Sequence, residues 1–126
     1  MCTMDDLKHL LADVMKGEVA DDAKTLKDAS RDTSLFERMP ELVVYPVDSN
    51  DVSELVKVVG AERKRGTDIS LAARSAGTDM SGGPLTTGVV VNFMKHMNHM
   101  GEVHVGRGTS YMDGYAVTEP GVFYRD

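Results

Sequence analysis

The stretch Ala73-Arg74-Ser75-Ala76-Gly77-Thr78-Asp79-Met80-Ser81-Gly82-Gly83 concentrates residue types suited to holding an anion. Its glycines let the backbone turn tightly and meet a ligand with no Cβ in the way. Successive N–H groups in such a turn form a concave nest for negative charge. Ser and Thr hydroxyls add donors, and Arg74 adds a fixed cation with a forked donor set. The apolar run Ile69 to Ala73 leads into it, so the loop leaves the end of a strand. The chemistry that fits is a pyrophosphate cradle. It is not a Walker A loop, which ends Gly-Lys-Ser/Thr, nor the G-x-G-x-x-G dinucleotide fingerprint. Read alone, the loop is equally well a glycine-rich hairpin or bulge with no ligand.

Two other clusters could do chemistry. His96, His99 and His104 have spacing that could ligate a metal, but no Cys or carboxylate completes a recognised set and Glu102 is a loose candidate, so solvated turns are the better reading. No metal site is assigned. Asp32 and Ser34 could pair as base and nucleophile, yet no His stands in sequence context to activate the serine. A cap or turn role suits them better. No catalytic residue is assigned.

The elements that position the loop follow from periodicity. Leu7, Leu10, Leu11 and Val14 predict an amphipathic helix from about Met4 to Met15, ended by Lys16-Gly17. A second helix is expected from Asp21 to Ala29, followed by a polar loop, Ser30 to Ser34. Leu42 to Tyr45, between Pro40 and Pro46, is apolar throughout, as in a strand buried on both faces. Asp48, Ser49 and Asn50 offer caps for a helix running to Lys64, with Val52, Leu55, Val56 and Val59 as its apolar stripe and Gly66 at its end. Strand, helix and the strand Ile69 to Ala73 make a βαβ unit whose strands should be parallel, placing the loop at the carboxyl edge where ligands collect. Gly88 to Phe93 is a third strand. Weaker strands are expected at Glu102 to Val105 and Tyr115 to Glu119, separated by a turn-rich segment with Gly106, Gly108, Asp113 and Gly114.

The 126 residues suit one domain with a modest core. A net charge of −6 and no clustered Lys and Arg argue against nucleic acid as a partner. The single cysteine, Cys2, lies at a terminus expected to fray and permits no intramolecular disulfide. No apolar run approaches the roughly 18 residues of a membrane span, and the first residues lack a signal-peptide core. A cytoplasmic protein is expected. The 9 methionines are expected mostly in core positions.

Several motifs in order resemble one family. They are Pro40-Glu41-Leu42-Val43-Val44-Tyr45-Pro46, Ser49 to Val52, Arg74 to Gly83, Val89 to Asn92, Met97-Asn98 and Pro120-Gly121, with Ser30-Arg31-Asp32-x-Ser34 upstream. The chain resembles the FAD-linked oxidases, the type 4 FAD-binding or vanillyl-alcohol oxidase family with a PCMH-type domain, and within it the D-lactate and glycolate dehydrogenase branches. The resemblance implies an α+β (α/β) fold, a small FAD-binding subdomain with a βαβ unit and further strands flanked by helices. Residues 1–39 would be an N-terminal helical segment and polar loop, and 40–126 the first FAD subdomain with the pyrophosphate loop at 74–83. It also implies that Arg74, Ser75, Ala76, Gly77, Thr78, Asp79, Met80 and Ser81 line the pyrophosphate and that Gly82 supports the turn. Pro46 would approach the nucleotide, and Pro120 and Gly121 would lie beside the cofactor. Relatives with covalent flavin often carry His at this place in the loop; Thr78 cannot form that bond, so FAD is expected to be non-covalent.

No residue matches the family's catalytic positions, so a second FAD subdomain and a catalytic domain are expected elsewhere in a parent flavoenzyme. The fragment itself is expected to be inactive and to bind FAD weakly or not at all. Homodimerisation through an exposed apolar face is a further expectation. The alternative is a self-contained, non-catalytic nucleotide-binding or protein-interaction module.

Overall fold

The computed structural model describes residues 2–106 and 114–125. Helix α1 (Met4–Val14) begins with a reciprocal cap: Thr3 Oγ1 accepts from the Asp6 N–H at 3.1 Å, and Asp6 Oδ2 accepts from the Thr3 N–H at 2.9 Å. These bonds satisfy donors that no helical carbonyl reaches. Strand β1 (Glu18–Ala20) follows, three residues that show no periodicity and were not expected. Helix α2 (Ala23–Ala29) is capped by Asp22, which accepts from the Thr25 N–H at 3.0 Å.

Strand β2 (Leu42–Tyr45) falls where its two prolines bracket it. Helix α3 (Ser49–Lys64) starts at the Asp48 cap and ends at Gly66, whose φ of +94° only glycine adopts easily. There the Thr67 N–H reaches the Glu62 carbonyl and the Gly66 N–H reaches that of Arg63, the paired bonds of a left-handed helix stop.

The first sheet runs β1-β2-β4-β3, with β3 at Leu71–Arg74 and β4 at Val89–Asn92. Strands β2, β4 and β3 are parallel, and β1 joins β2 antiparallel. The βαβ strands are therefore parallel as expected, but they do not touch, because β4 lies between them. Composition explains the order. Val89, Val90 and Val91 are all buried and need cover on both faces, whereas β3 carries two alanines and an arginine and sits half-exposed at the edge.

The two faces of this sheet are buried differently. On one, Leu42, Val44, Val89 and Val91 pack with Leu7, Leu11 and Met15 of the α1 side and Leu55 and Val59 of α3. On the other, Val43 and Val90 pack with Ala29 and Leu26 of α2. Fully burying one such Leu or Val stabilises by about 1.5–3 kcal/mol, against about 0–1 kcal/mol for an exposed ion pair such as Lys24–Asp28. The shared core, not surface charge, thus holds α1 on α3. Residues 1–39 contribute to it, so the division at residue 40 marks a change of sequence pattern rather than a boundary in the packing.

Some expectations of burial fail. Leu10, Val14 and Val56 are exposed, so both helices bury a narrower stripe than their spacing suggests. Met15 and Met97 fill the core, but Met39, Met80 and Met100 are exposed. Cys2 does not stand free; it packs, half-buried, against the larger core cluster. Strands β5 (Met100–Val105) and β6 (Gly114–Thr118) form a separate antiparallel hairpin, exposed along its whole length. The turn-rich segment expected between them lies largely outside the described residues.

One buried carboxylate joins three parts of this fold. Asp51, 2% exposed, accepts from the Lys16 N–H at 2.9 Å, the Gly17 N–H at 2.9 Å and the Val47 N–H at 3.0 Å. Each unsatisfied buried donor costs about 1–3 kcal/mol. Asp51→Ala is expected to destabilise the chain by roughly 2–4 kcal/mol. Urea unfolding checks this, and a loss below about 1 kcal/mol would show that water replaces the carboxylate.

Candidate functional site

Strand β3 delivers the chain to the carboxyl edge of the parallel strands, and the glycine-rich loop begins there. Arg74 pairs in register with Asn92 of β4, and its guanidinium folds back under the loop. At Gly77, with φ +70°, a Cβ would lie 2.3 Å from Arg74 Nη2. The left-handed backbone favours glycine at 77, and the absent Cβ leaves room for the guanidinium packed against it.

The backbone N–H groups of Ala76, Gly77, Thr78, Asp79 and Met80 find no acceptor among the described residues. A run of unpaired donors on a tight loop can serve as an anion nest. Arg74 Nη1 is likewise buried without an acceptor, and a buried donor of this kind calls for a partner. The donor set suits a diphosphate. One anion belongs to the loop itself: the Asp79 carboxylate is turned onto Ser81, accepting from its N–H and its hydroxyl at 2.6 Å each. These bonds hold the Asp79 carboxyl below its usual range, so it is charged at neutral pH and already partly neutralised.

A cavity of about 960 Å³ opens beside the loop. One wall is Ser75 to Asp79; the opposite wall is Val122 to Arg125. The far wall is anchored by Gly121, whose N–H donates to the Met97 carbonyl at 2.8 Å. A Cβ at 121 would lie 2.4 Å from the Phe93 carbonyl oxygen and 2.6 Å from that of Met97. Glycine is needed here so that two backbones can cross.

The structure thus brings together Ser75, Ala76, Gly77, Thr78 and Asp79 of the expected set. The others stand elsewhere. Arg74 supports the loop from beneath Gly77 rather than lining the cavity. Met80 is 82% exposed, Ser81 is engaged with Asp79, and Gly82 lies against the Phe36 ring. Pro46 is fully buried and lines no described cavity, because the Lys16–Gly17 turn packs at that end of β2. Pro120 is exposed, and Gly121 lines a smaller cavity of about 340 Å³ with Asn98 and Met100. Phe123, Tyr124 and Arg125 were not expected at the site; nothing local in the sequence marks them, since only the fold carries them opposite the loop.

The remaining candidates have other work. His96 Nε2 lies 3.0 Å from Glu18, and the His104 ring stacks on Tyr115 at 4.6 Å. Among the described residues no three His, Cys, Asp or Glu side chains gather as metal ligands. Asp32 Oδ1 accepts from the Ser34 N–H at 2.8 Å and Ser34 Oγ accepts from the Phe36 N–H at 3.1 Å, both bonds of a turn. Among the same residues no helix is long and apolar enough to cross a membrane.

The segment after α2 braces the loop from outside. Thr33 bonds to the Thr78 and Asp79 carbonyls, and Glu37 pairs with both Lys27 and Arg31. Those two cations, Lys27 foremost, hold the Glu37 carboxyl down at about 2.

A family model described as an FAD binding domain matches residues 40–126. The D-2-hydroxyglutarate dehydrogenase of Pseudomonas putida is 32% identical over 90 residues, 71% of this chain and 9% of that protein. That of Escherichia coli is 29% identical over 79 residues, 63% of this chain and 8% of that protein. The chain therefore spans less than a tenth of the length of these relatives. The solved structure of wild-type Physcomitrella patens BBE-like 1 superposes with a TM-score of 0.56 at 18% identity, covering 81% of this chain and 28% of that one. At that identity the likeness carries the α+β fold.

Gly121→Ala should lower the thermal midpoint by several degrees, since backbone atoms cannot yield as a side chain would and overpacking costs about 1–3 kcal/mol. An unchanged midpoint would refute the crossing described. Because the Glu37 pKa is depressed in the folded chain, its clamp stabilises fully above the ordinary carboxylate value of about 4.3 and is lost as pH falls through about 2. A carbon-13 titration of the Glu37 carboxyl should place its midpoint near 2; a midpoint at the ordinary value would mean the pairs do not form in solution.

Proposed function

The chain belongs to the FAD binding domain family, and on that premise we propose that its loop 74–83 holds the FAD pyrophosphate for a flavin-dependent enzyme that oxidises a 2-hydroxy acid. FAD is the cofactor of this family. The observation that supports the loop's role is the run of five acceptor-free N–H groups, Ala76 to Met80, with the orphaned Arg74 Nη1 beneath them. A diphosphate supplies the acceptors that this nest lacks.

Bound there, FAD supplies a two-electron acceptor for the hydride on the α-carbon of the acid. The residues of this chain bind and orient: the nest meets the phosphates, Arg74 offsets their charge, and the wall from Val122 to Arg125 narrows access of water. We assign no proton transfer to them. The relatives are named as D-2-hydroxyglutarate dehydrogenases, which favours that acid over D-lactate or glycolate as the substrate of the whole enzyme. Flavin binding to this chain alone should be weak, because tight binding requires most of a ligand's surface to be buried.

An NMR titration with FAD, carried to millimolar concentration, tests the proposal. Saturable shifts should concentrate on the amides of Ala76 to Met80, with affinity about tenfold lower or worse in Arg74→Ala, the scale expected for a charge-assisted hydrogen bond. Inorganic pyrophosphate should compete. No response at these amides from the wild-type chain would reject the loop as the cradle.

A further inference from the structure

We infer that Thr33 is a positioning residue for the nest, setting the orientation of the peptides that join Thr78, Asp79 and Met80. The inference rests on the reading of this loop as a pyrophosphate cradle. Thr33 comes from the segment after α2, 45 residues before Thr78. Its hydroxyl lies 3.0 Å from the Thr78 carbonyl oxygen and 2.8 Å from that of Asp79, and its N–H donates to the Asp79 carbonyl at 3.2 Å. One hydroxyl proton is shared between the two carbonyls.

The consequence is geometric. In a trans peptide the C=O and the N–H of the next residue point to opposite sides. Among the described residues no peptide bond is cis. Carbonyls of Thr78 and Asp79 drawn toward Thr33 therefore turn the Asp79 and Met80 N–H groups away from it, and both are members of the unpaired set. Released from Thr33, either peptide could flip and present a carbonyl oxygen where the nest presents a donor. Attraction for an anion would become repulsion at that point.

Thr33 can act this way because its own segment is fixed. Ser30 Oγ donates to the Lys27 carbonyl at 2.8 Å, and the Arg38 N–H donates to the Ser30 carbonyl at 2.9 Å. Asp32 and Ser34 bond to each other on either side of Thr33. The brace thus runs from α2 through Thr33 to the loop. Thr33 is itself exposed and belongs to neither core cluster, so its replacement should leave the fold intact.

The test uses the full chain with Thr33→Val, which keeps the shape and the N–H bond to Asp79 but removes the hydroxyl donor, and Thr33→Ser, which keeps the hydroxyl. Nitrogen-15 relaxation without ligand should show the amides of Ala76 to Met80 falling from the rigid-backbone order parameter of about 0.85 toward about 0.6 in Thr33→Val. The β4 amides should be unchanged, and Thr33→Ser should restore the loop. FAD affinity read at the same amides should weaken about tenfold in the valine variant, a difference of about 1.4 kcal/mol, and recover in the serine variant. A loop equally ordered in Thr33→Val overturns the inference, as does a loss that serine fails to restore, or lost order with unchanged FAD affinity. If wild type shows no FAD response, the cradle reading fails, while the relaxation comparison still decides whether Thr33 orients the loop.

Discussion

The carboxylate of Asp51 is the constraint on which the rest of this structure leans. It sits in the first turn of α3, where the unpaired N–H groups of the helix favour negative charge. From there its oxygens reach the turn after α1 and the turn after β2. Three backbone donors in partly buried surroundings are satisfied by one buried side chain. Once they are, β1 must lie beside β2, and α1 must lie along α3. The core between those helices and the sheet is what fixes the level of the strand ends, and so the place from which the glycine-rich loop departs.

At that edge the site is assembled from separate stretches of chain. The loop supplies donors, the segment around Thr33 fixes its peptides, and the residues after Gly121 form the facing wall. Arg74 acts within this assembly as a buttress as well as a charge, since its guanidinium fills the space that the missing Cβ of Gly77 leaves. The residues lining the cavity and the residues that shape it are therefore different sets. Gly82 and Gly121 belong to the second. Their lack of a side chain permits close packing.

This division explains what was legible in the sequence. Local patterns were: the valine run of β4, the prolines around β2, the cap at Asp48, and the glycine that stops α3 each announce themselves within a few residues. The stretch Ser75 to Asp79, which lines the larger cavity, stands out for the same reason, by its glycine and its small polar residues. Burial of Pro46 was not legible, because it depends on a turn some thirty residues earlier. Neither was the role of Thr33, which touches the loop across 45 positions, nor the facing wall. Strand β1 escaped notice because three residues carry no period, and the narrow stripes of α1 and α3 escaped because spacing does not reveal which face a neighbour covers.

The position of β4 carries a consequence for how the chain is made. Its neighbours on both sides, β2 and β3, precede it in the sequence, and they face each other across the slot that it fills. Adjacent strands stand about 4.8 Å apart, so until β4 arrives the gap is about twice that, too wide for any hydrogen bond. A nascent chain that has emerged only through the glycine-rich loop has the loop's residues in hand but no sheet to hold them. Closure waits on contacts distant in sequence, which slows folding and leaves two strand edges bare in the meantime. The strand that completes the sheet is, in the order of synthesis, laid after the loop that the sheet positions.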